Sequence, residues 1–557
     1  MTPAGGEFLV RAASPAAVQT PEDLDQDLLG LREVANAFVD REVLPKLEQL
    51  DSPDYELSAA LLRQAGELGL LSHSVPEEYG GLGLGKLAMG IVSEAVGRAG
   101  SYGVMHVNHA GIATLPIVYF GEPAIREEFL PRLASGEYIG AYCLTEPEAG
   151  SDALSVQTVA RREGAGYRLT GTKQFVTNAG IADTFVVYAK VSGEQFTAFL
   201  LDKATPGLSL GPEEHKMGIR GSSTRQVRLT DAAVDADRVL GEVGRGHKVA
   251  FNALNFGRYS LASANFGGAK EALRAATGHA TGRSQFGRTV ASFGASRAAL
   301  AAVAARAYAA QALVFRTGGC LDAALRGDAA ARDDQDARLA EYAIECSVAK
   351  VFCTEALALA VDVGVQLHGG YGFIDEYPIS RMYRDARIQR IFEGTNEINR
   401  INVLATAMRR RREGRLPLDD AWSVAQAGDD AVSAIRGVLQ LIWRTAEERL
   451  GDRWIEEQEV SLPAAELAIW LYAAESASGR AERAERSGEI HRDLAALFLS
   501  EALGRCEAAA REACALMGRG DLAQDIIHTL SRFGDEQRLA RLRRVSDAVC
   551  AIGGFPV

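Results

Sequence analysis

The sequence lacks the residue patterns that build metal sites and disulfide frameworks. Its seven cysteines form no CxxC pair, its nine histidines are scattered, and no HExxH motif occurs. Zinc ligands usually come in closely spaced pairs, so we expect no bound metal. Scattered, unpaired cysteines are typical of a reducing compartment, which predicts a cytoplasmic protein.

Long apolar runs and an excess of positive charge are also missing. No run of about twenty uncharged apolar residues occurs, so no transmembrane helix is predicted. The nearest approach, residues 298–315, is alanine-rich and contains Arg306. The net charge of -13 argues against a nucleic-acid-binding surface. Residues 1–23 lack the apolar core of a secretory signal and are predicted to form a disordered lead.

Length and hydrophobic periodicity predict a mainly α protein of several domains, because 557 residues exceed one ordinary core. A helical period in residues 24–140 predicts an N-terminal helical domain. The period changes to two in residues 141–245, which predicts a middle β-domain, expected to be a barrel. Residues 246–408 predict a helical bundle domain. A charged linker at 409–417 then leads to an extra helical domain at 418–557.

A glycine-rich segment, GGLGLGK at residues 80–86, resembles a phosphate-binding loop only superficially. Leu87 stands where such a loop carries the Ser or Thr that binds magnesium. No strand pattern precedes the segment either. We interpret it as a turn.

The strongest candidate for a catalytic group lies in residues 381–401, RMYRDARIQRIFEGTNEINRI. A basic helical pattern breaks at Glu393, where Gly394 permits a tight turn. Thr395 is a good N-cap for the helix that follows. Glu393 is therefore expected at the end of one helix, beside the amide-rich start of the next. Taken alone, it would be an ordinary solvated carboxylate.

Two upstream motifs change that interpretation: YCLTEPEAGSD at residues 142–152 and QLHGGYG at 366–372. With residues 381–401, in this order and spacing, they resemble the acyl-CoA dehydrogenase family from about residue 24 to 408. The long C-terminal extension resembles the very-long-chain branch. The resemblance implies an N-terminal helical domain, a middle β-barrel, a C-terminal four-helix bundle and an extra helical domain. It also implies an FAD-dependent enzyme that oxidises fatty acyl-CoA and passes electrons to an electron-transfer flavoprotein.

The resemblance assigns Glu393 the role of the general base that removes the proton beside the thioester carbonyl. Other branches place their base just before Arg258, where this chain has Gly257. Several loops of the β-domain and the bundle are implied to contact FAD. Their residues are Tyr142, Leu144, Thr145, Gly150, Ser151, Phe175, Val176, Thr177, Arg283, Phe286, Phe293, Gln366, Leu367, His368, Gly369, Gly370, Thr395 and Glu397.

Substrate contacts are implied for a smaller set: Ser151, Asn255, Arg258 and Gly394. Residues 108–120 match the helix that bounds the acyl pocket. Small side chains there either leave room for a long acyl chain or only allow close helix packing. The chain departs from the family at Phe175, where Trp is frequent, and at Gly294, where Gln is frequent.

Since one FAD site of the family takes residues from two chains, the resemblance implies a homo-oligomer, expected to be a dimer. At most weak peripheral membrane contact is expected, because the only dense basic run is at 409–415. Two further interpretations stay open: an acyl-CoA oxidase that delivers electrons to oxygen, and a non-catalytic scaffold that keeps the fold. A nitroalkane oxidase carries Asp at the base position and fits Glu393 less well.

Overall fold

The computed structural model describes residues 4–51, 55–325, 332–417, 430–484 and 488–557, without the side chains of 332–334. The chain forms two compact units. The helical unit comprises Met1–Leu24, Gly268–Gly327 and Arg338–Val557. The mixed unit comprises Asp25–Gly267 and Asp328–Ala337.

The mixed unit begins with short amphipathic helices around a common apolar core that includes Phe38, Leu62 and Tyr102. The Asp25 side chain caps the first helix by accepting a hydrogen bond from the Leu28 N–H. Two π-helical turns, Val39–Val43 and Asn108–Ala113, interrupt the series. The α-helices are α1 (Gln26–Phe38), α2 (Leu47–Leu50), α3 (Glu56–Glu67), α4 (Lys86–Gly97), α5 (Ser101–Val107), α6 (Leu115–Phe120) and α7 (Pro123–Ser135).

The β-domain of the mixed unit is one sheet of eight strands. The alternating pattern predicts strands at residues 166–170, 184–189, 197–201 and 226–229, and all four are observed, within β3, β4, β5 and β7. The strands are β1 (Gly140–Cys143), β2 (Val159–Glu163), β3 (Gly166–Thr177), β4 (Thr184–Val191), β5 (Gln195–Asp202), β6 (Leu208–Glu213), β7 (Thr224–Asp235) and β8 (Val239–Leu240).

The prediction of a β-barrel is wrong, because the sheet is open. Its order is β6-β7-β3-β2-β4-β5-β8, with β1 parallel to β4, and no pairing joins β6 to β8 within the described strands. Alternating apolar residues predict strands with one buried face. Barrel closure additionally requires hydrogen bonding between the first and last strands, which alternation does not encode.

The bundle follows the sheet and starts with a helix that runs from one unit into the other. Its core side chains, such as Leu313 and Phe352, are buried among small residues. The elements are α8 (Gly246–Gly282), a hairpin of β9 (Ser284–Gln285) and β10 (Arg288–Thr289), α9 (Gly294–Leu325), α10 (Arg332–Ala340), α11 (Ala343–His368), α12 (Pro378–Ile388) and α13 (Asn396–Arg412).

The C-terminal extension packs on the bundle of the same chain. Phe498 lies edge-on to Phe352 with ring centroids 5.5 Å apart, and Arg316 donates to Glu475 at 2.6 Å. The extension therefore buries its apolar faces within the helical unit. Its helices are α14 (Ala431–Leu450), α15 (Gln458–Arg483), α16 (Glu489–Leu516), α17 (Gly520–Ser531) and α18 (Arg538–Ile552).

The prediction of a disordered lead is wrong over residues 4–23, which form short 3₁₀ turns packed against the extension. Phe8 and Leu9 are buried. Their carbonyl oxygens accept hydrogen bonds of 2.9 Å from Arg436 and Gln440. Side chains distant in sequence hold this segment, so no local periodicity reveals its order.

The predicted linker is also wrong in its first part, because α13 continues through Arg412. Arg410 is buried and donates to the carbonyl oxygens of Gly5 and Glu341. A run of arginines usually indicates a solvated surface. Here one arginine of the run is buried and donates hydrogen bonds to two backbone carbonyl groups. The first part of the predicted extra domain, residues 418–429, lies outside the described residues.

Helix α9 is long and apolar enough to cross a membrane by composition alone. However, 83% of the apolar 18-residue stretch within this helix is buried inside the protein. Arg306 in its middle is ion-paired with Glu501 of α16. These contacts are those of a core helix in a bundle.

Candidate active site

Glu393 lies in the short turn between α12 and α13, and its backbone is left-handed. Its φ is 57°, and that of Gly394 is 80°. A non-glycine residue held in this region costs about 1–3 kcal/mol, and such strain concentrates at functional sites. The Oε2 atom of Glu393 is buried although the residue as a whole is half-buried. The turn therefore presents a carboxylate in a fixed and partly desolvated position.

Thr395 caps α13 as predicted. Its hydroxyl accepts a hydrogen bond of 3.2 Å from the Ile398 N–H. The pKa of Glu397 is lowered by its own backbone N–H, and the Thr395 hydroxyl and Arg400 add to that effect. The start of α13 thus favours negative charge beside the Glu393 turn.

Sequence reasoning missed the groups that hold this turn. Asn399 donates to the carbonyl oxygens of Glu393, Gly394 and Thr395 at 3.3, 2.9 and 3.0 Å. Lys350 of α11 donates to the Gly394 carbonyl at 2.8 Å. An isolated lysine in the apolar run SVAKVF was the available signal for Lys350.

In the mixed unit, β1 and the loop that follows it carry the first predicted cofactor residues. Tyr142 and Leu144 are buried, and the Tyr142 ring lies edge-on to Tyr188 with centroids 5.2 Å apart. The Thr145 carbonyl accepts a hydrogen bond of 2.8 Å from the Gln174 N–H, which ties this loop to β3. Gly150 and Ser151 are exposed.

A buried ion pair joins the same two segments and was also missed. The Lys173 ammonium donates to Glu146 at 2.6 Å and to the Leu144 carbonyl at 3.2 Å, and neither charged side chain exceeds 4% exposure. Burial alone would raise the pKa of Glu146, but Lys173 and the Thr158 hydroxyl outweigh it and lower that pKa. The pair therefore stays charged and fixes the loop against the strand.

Phe175 is held outward by an irregularity in β3. The pairing of β3 with β7 shifts between Lys173 and Val176, and Phe175 takes a left-handed φ of 55°. Its side chain is 62% exposed, while Val176 is buried and Thr177 is half-buried. An exposed aromatic ring on a strained backbone is suited to covering a flat ligand.

The predicted substrate residues on α8 contact each other. Arg258 donates to the Asn255 side chain at 3.2 Å, and both residues are buried. The helix expected to bound an acyl pocket is π-helical over Asn108–Ala113. A side-chain carbon at Gly111 would meet only the Met89 methyl group, at 3.5 Å. Glycine at this position thus leaves space beside Met89.

The glycine-rich segment at residues 80–86 is a turn, as interpreted. Gly80 and Gly83 have φ values of 80° and 59°. Lys86 starts α4 and is buried, with its ammonium 4.7 Å from the centroid of the Phe256 ring. That ammonium therefore does not project from the turn as a phosphate ligand would.

In the helical unit, Arg283, Phe286 and Phe293 lie together around the β9–β10 hairpin. Phe286 occupies its two-residue turn with a φ of 52° and is 94% exposed. Its ring lies edge-on to Phe293 at a centroid distance of 6.2 Å. The exposed Arg283 guanidinium lies 5.3 Å from the centroid of the Tyr371 ring.

The predicted FAD-contacting residues 366–370 lie at the end of α11 and in the turn that follows it. His368 is buried and stacks on His279 at 4.2 Å, and burial lowers the pKa of both imidazoles. Gln366, Gly369 and Gly370 are exposed, while Leu367 is half-buried. A side-chain carbon at either glycine would meet nothing within 4 Å. The loop thus offers open backbone that a ligand can approach closely.

The predicted site residues thus form two sets, one on each unit. The mixed unit carries Tyr142 to Thr177, Asn255 and Arg258, and the helical unit carries Arg283 to Phe293, Gln366 to Gly370 and Glu393 to Glu397. Within each unit, residues distant in sequence lie on neighbouring loops. No cluster of metal-ligating side chains occurs among the described residues.

Comparison with known proteins identifies the family of this chain. Family models for acyl-CoA dehydrogenases match the N-terminal domain at residues 25–137, the middle domain at 141–232 and the C-terminal domain at 244–408. The chain is 40% identical over 558 residues to a Bacillus subtilis (strain 168) protein named probable acyl-CoA dehydrogenase, covering 95% of this chain and 94% of that one. The chain belongs to the acyl-CoA dehydrogenase family.

The extension belongs to the family as well, because a second acyl-CoA dehydrogenase C-terminal model matches residues 435–532. The very long-chain specific mitochondrial enzyme of Bos taurus is 38% identical over 349 residues, which is 60% of this chain and 51% of that protein. A crystal structure of an acyl-CoA dehydrogenase from Bacillus anthracis, complexed with FAD, has a TM-score of 0.95 at 40% identity and covers 100% of both chains.

The residues present fit FAD. Phe175 offers an exposed aromatic face beside the loop of Thr145. In the helical unit, the open backbone of Gly369 and Gly370 and the exposed Arg283 suit a dinucleotide with its phosphates.

Proposed function

We propose that this chain binds FAD and oxidises long-chain fatty acyl-CoA to trans-2-enoyl-CoA in fatty-acid β-oxidation. The observation that carries the proposal is Glu393, a carboxylate with a buried Oε2 atom on a left-handed turn, at the position that the family uses for its base. A solvated helix-end carboxylate would need neither the strained backbone nor the three hydrogen bonds from Asn399.

The reaction removes one proton and one hydride from neighbouring carbons. Glu393 takes the proton from C2 of the acyl chain, which needs the carboxylate form. FAD, when bound, accepts the hydride from C3, and the two carbons are left joined by a double bond. In this proposal, the backbone N–H of Glu393 donates a hydrogen bond to the thioester oxygen. This hydrogen bond stabilises the developing enolate.

The chain's own residues have distinct roles in this proposal. Tyr142, Thr145 and Phe175 bind the flavin part of FAD, and Gln366 to Gly370 with Arg283 bind its phosphate and adenine parts. Asn255 and Arg258 orient the thioester and CoA portion. Gly111, with space left beside Met89, supports a preference for long acyl chains.

We further propose an electron-transfer flavoprotein as the acceptor and a homodimer as the assembly. The extension supports the dimer, since its helices cover bundle surface of the same chain that would otherwise be free to contact further subunits. The seven free cysteines support a reducing, cytoplasmic location.

An anaerobic titration tests the function directly. Purified protein is mixed with acyl-CoA thioesters of increasing chain length, and the flavin absorbance and the 2-enoyl-CoA product are followed. We expect stoichiometric bleaching, strongest with long chains. A flavin that stays oxidised with every thioester would contradict the proposal.

Reoxidation separates the remaining alternatives. Rapid reoxidation by electron-transfer flavoprotein and slow reoxidation by oxygen are expected. The reverse order would assign an acyl-CoA oxidase, and a protein that purifies without flavin and cannot be reconstituted would assign a scaffold.

A further inference from the structure

Lys350 is a fully buried lysine on α11 whose ammonium group reaches the Glu393 turn. It is 0% exposed. Its Nζ donates to the Gly394 carbonyl oxygen at 2.8 Å and to the Asn396 side-chain oxygen at 2.8 Å. The first acceptor directly follows Glu393 in the chain, so the ammonium is anchored on the peptide that sets the position of the carboxylate.

Asn396 is itself held by the next turn of α11. Its amide donates to the Thr354 hydroxyl at 3.1 Å and to Glu355 at 3.0 Å. Lys350 and Thr354 are four residues apart and therefore lie on one face of α11. This face is aimed at the start of α13, which makes α11 the support on which the turn rests.

The turn needs such support, because Glu393 and Gly394 both have a left-handed backbone conformation. Asn399 holds the carbonyl groups from the α13 side, and Lys350 holds the Gly394 carbonyl from the α11 side. Losing either contact leaves strain that the remaining contacts must balance.

A buried ammonium group is costly, and an apolar side chain of similar length would fill the same volume at lower cost. The N-terminus of α13 adds a further partial positive charge at this place. Two sources of positive charge therefore lie beside the Glu393–Gly394 turn. A purely structural contact between α11 and α13 would not require the cation.

We propose that Lys350 is a positioning residue for the general base, which fixes the Glu393–Gly394 turn through its hydrogen bond to the Gly394 carbonyl oxygen. The inference rests on the proposed function of Glu393. It predicts that proton removal at C2 depends on Lys350 much more strongly than FAD binding and acyl-CoA binding do.

The test compares Lys350→Met with Ser347→Ala in the FAD-loaded protein. Ser347 is a matched control, because its hydroxyl joins the same two helices through Asn402 at 2.8 Å without contacting the turn. Turnover and KM for a long-chain acyl-CoA are measured. C2 hydrogen–deuterium exchange is followed with an analogue that has sulfur at position 3, which can lose the C2 proton but has no C3 hydrogen to transfer.

We expect Lys350→Met to lower kcat and the C2 exchange rate by about 10- to 100-fold, as a misplaced catalytic group does. Its KM and FAD content should change by much less than kcat, and its thermal midpoint should fall only as far as the loss of two buried hydrogen bonds requires. Ser347→Ala should match the parent throughout. Lys350→Gln retains an N–H donor without the charge and should fall between the two. If Lys350→Met does not fold, the same measurements on Lys350→Gln test the inference.

Parent-like kcat and exchange in the folded variants would overturn the inference. So would equal losses of FAD, thermal stability and turnover, because these would assign Lys350 a purely structural role. A parent protein that neither exchanges C2 hydrogen nor forms product would instead contradict the proposed function itself. The two failures are therefore distinguishable.

Discussion

At the scale of single residues, three positions assigned to the site have a left-handed backbone. Phe175 in β3, Phe286 in the β9–β10 turn and Glu393 in the turn before α13 have φ values of 55°, 52° and 57°. A left-handed conformation is costly for bulky side chains, so surrounding contacts must maintain it. The ion pair of Lys173 with Glu146 is one such contact, next to Phe175.

Replacing Lys173 by Met should weaken FAD retention. The change leaves Glu146 charged and buried, which typically costs about 3–5 kcal/mol and loosens the loop against β3. The FAD content after gel filtration and the flavin absorbance spectrum measure the effect. The double variant Lys173→Met/Glu146→Gln removes both charges and should recover most of the retention. Full retention in the single variant would show that the pair does not position this loop.

At the scale of elements, the N-terminal segment ties the bundle to the extension. Phe8 packs at a tilted angle against Tyr472 of α15, with ring centroids 4.6 Å apart. Arg480 of the same helix donates to Glu22 at 2.6 Å and to Gln311 of α9 at 2.8 Å. Residues 4–23 therefore belong to the core of the helical unit.

Replacing Phe8 by Ala should destabilise the helical unit by about 3–5 kcal/mol, as the loss of a buried aromatic side chain does. Chemical denaturation followed by far-UV circular dichroism measures the change. Leu516→Ala is the control, since Leu516 is 51% exposed and should cost less than about 0.5 kcal/mol. Equal midpoints for the Phe8 variant and the parent would mean that the segment is dispensable.

Buried histidines make the N-terminal helices of the mixed unit sensitive to acid. Burial lowers the pKa of His106 to about 3 and that of His109 to about 4, and it holds the pKa of His73 well below its ordinary value. His106 contacts the Tyr102 hydroxyl and the Leu70 carbonyl, so its neutral ring is part of the packing.

Stability of the mixed unit should therefore fall as the pH falls from about 6.5 toward 4. The unfolded state takes up protons at its ordinary pKa of about 6.5, whereas the folded state does so only near its lowered values. Each histidine contributes roughly 1.4 kcal/mol per pH unit within that window. Denaturation at several pH values measures the slope. His106→Gln should reduce it, the exposed-site control His215→Gln should not, and a flat profile in the parent would contradict this account.

At the scale of the whole molecule, the extension completes the helical unit. Trp470 of α15 stacks on Phe498 of α16 at 5.6 Å, and both rings contact Phe352 of the bundle. Arg400 of α13 pairs with Glu466 of α15 at 2.7 Å. Removing the extension would expose apolar bundle surface and leave buried charges without partners.

A chain cut after Arg411 should retain Glu393 but associate or aggregate, because large exposed apolar patches promote association. Light scattering on the full-length and cut proteins tests this prediction. The full-length protein is expected to be a dimer. A full-length tetramer, or a cut protein that remains a well-behaved dimer, would contradict it.

Sequence motifs identified the family, the strand segments and the Thr395 cap because these depend on local residues. The open sheet, the packed N-terminal segment and the buried Arg410 depend on contacts between distant residues, which periodicity does not encode. The supports of the site, Lys350 and the Lys173–Glu146 pair, were missed for the same reason. Lys350 is a charged residue in the otherwise apolar run SVAKVF, which is a signal that sequence reasoning can use.

The most direct test of the central claim is the reductive half-reaction of Glu393→Gln. The change is nearly isosteric, so the variant should bind FAD and acyl-CoA as the parent does. Anaerobic stopped-flow absorbance should show that a long-chain acyl-CoA bleaches the parent flavin, whereas bleaching of the variant is slower by about 100- to 10,000-fold or more, because glutamine cannot accept the C2 proton. Bleaching of the variant at the parent rate would contradict the assignment of Glu393 as the base.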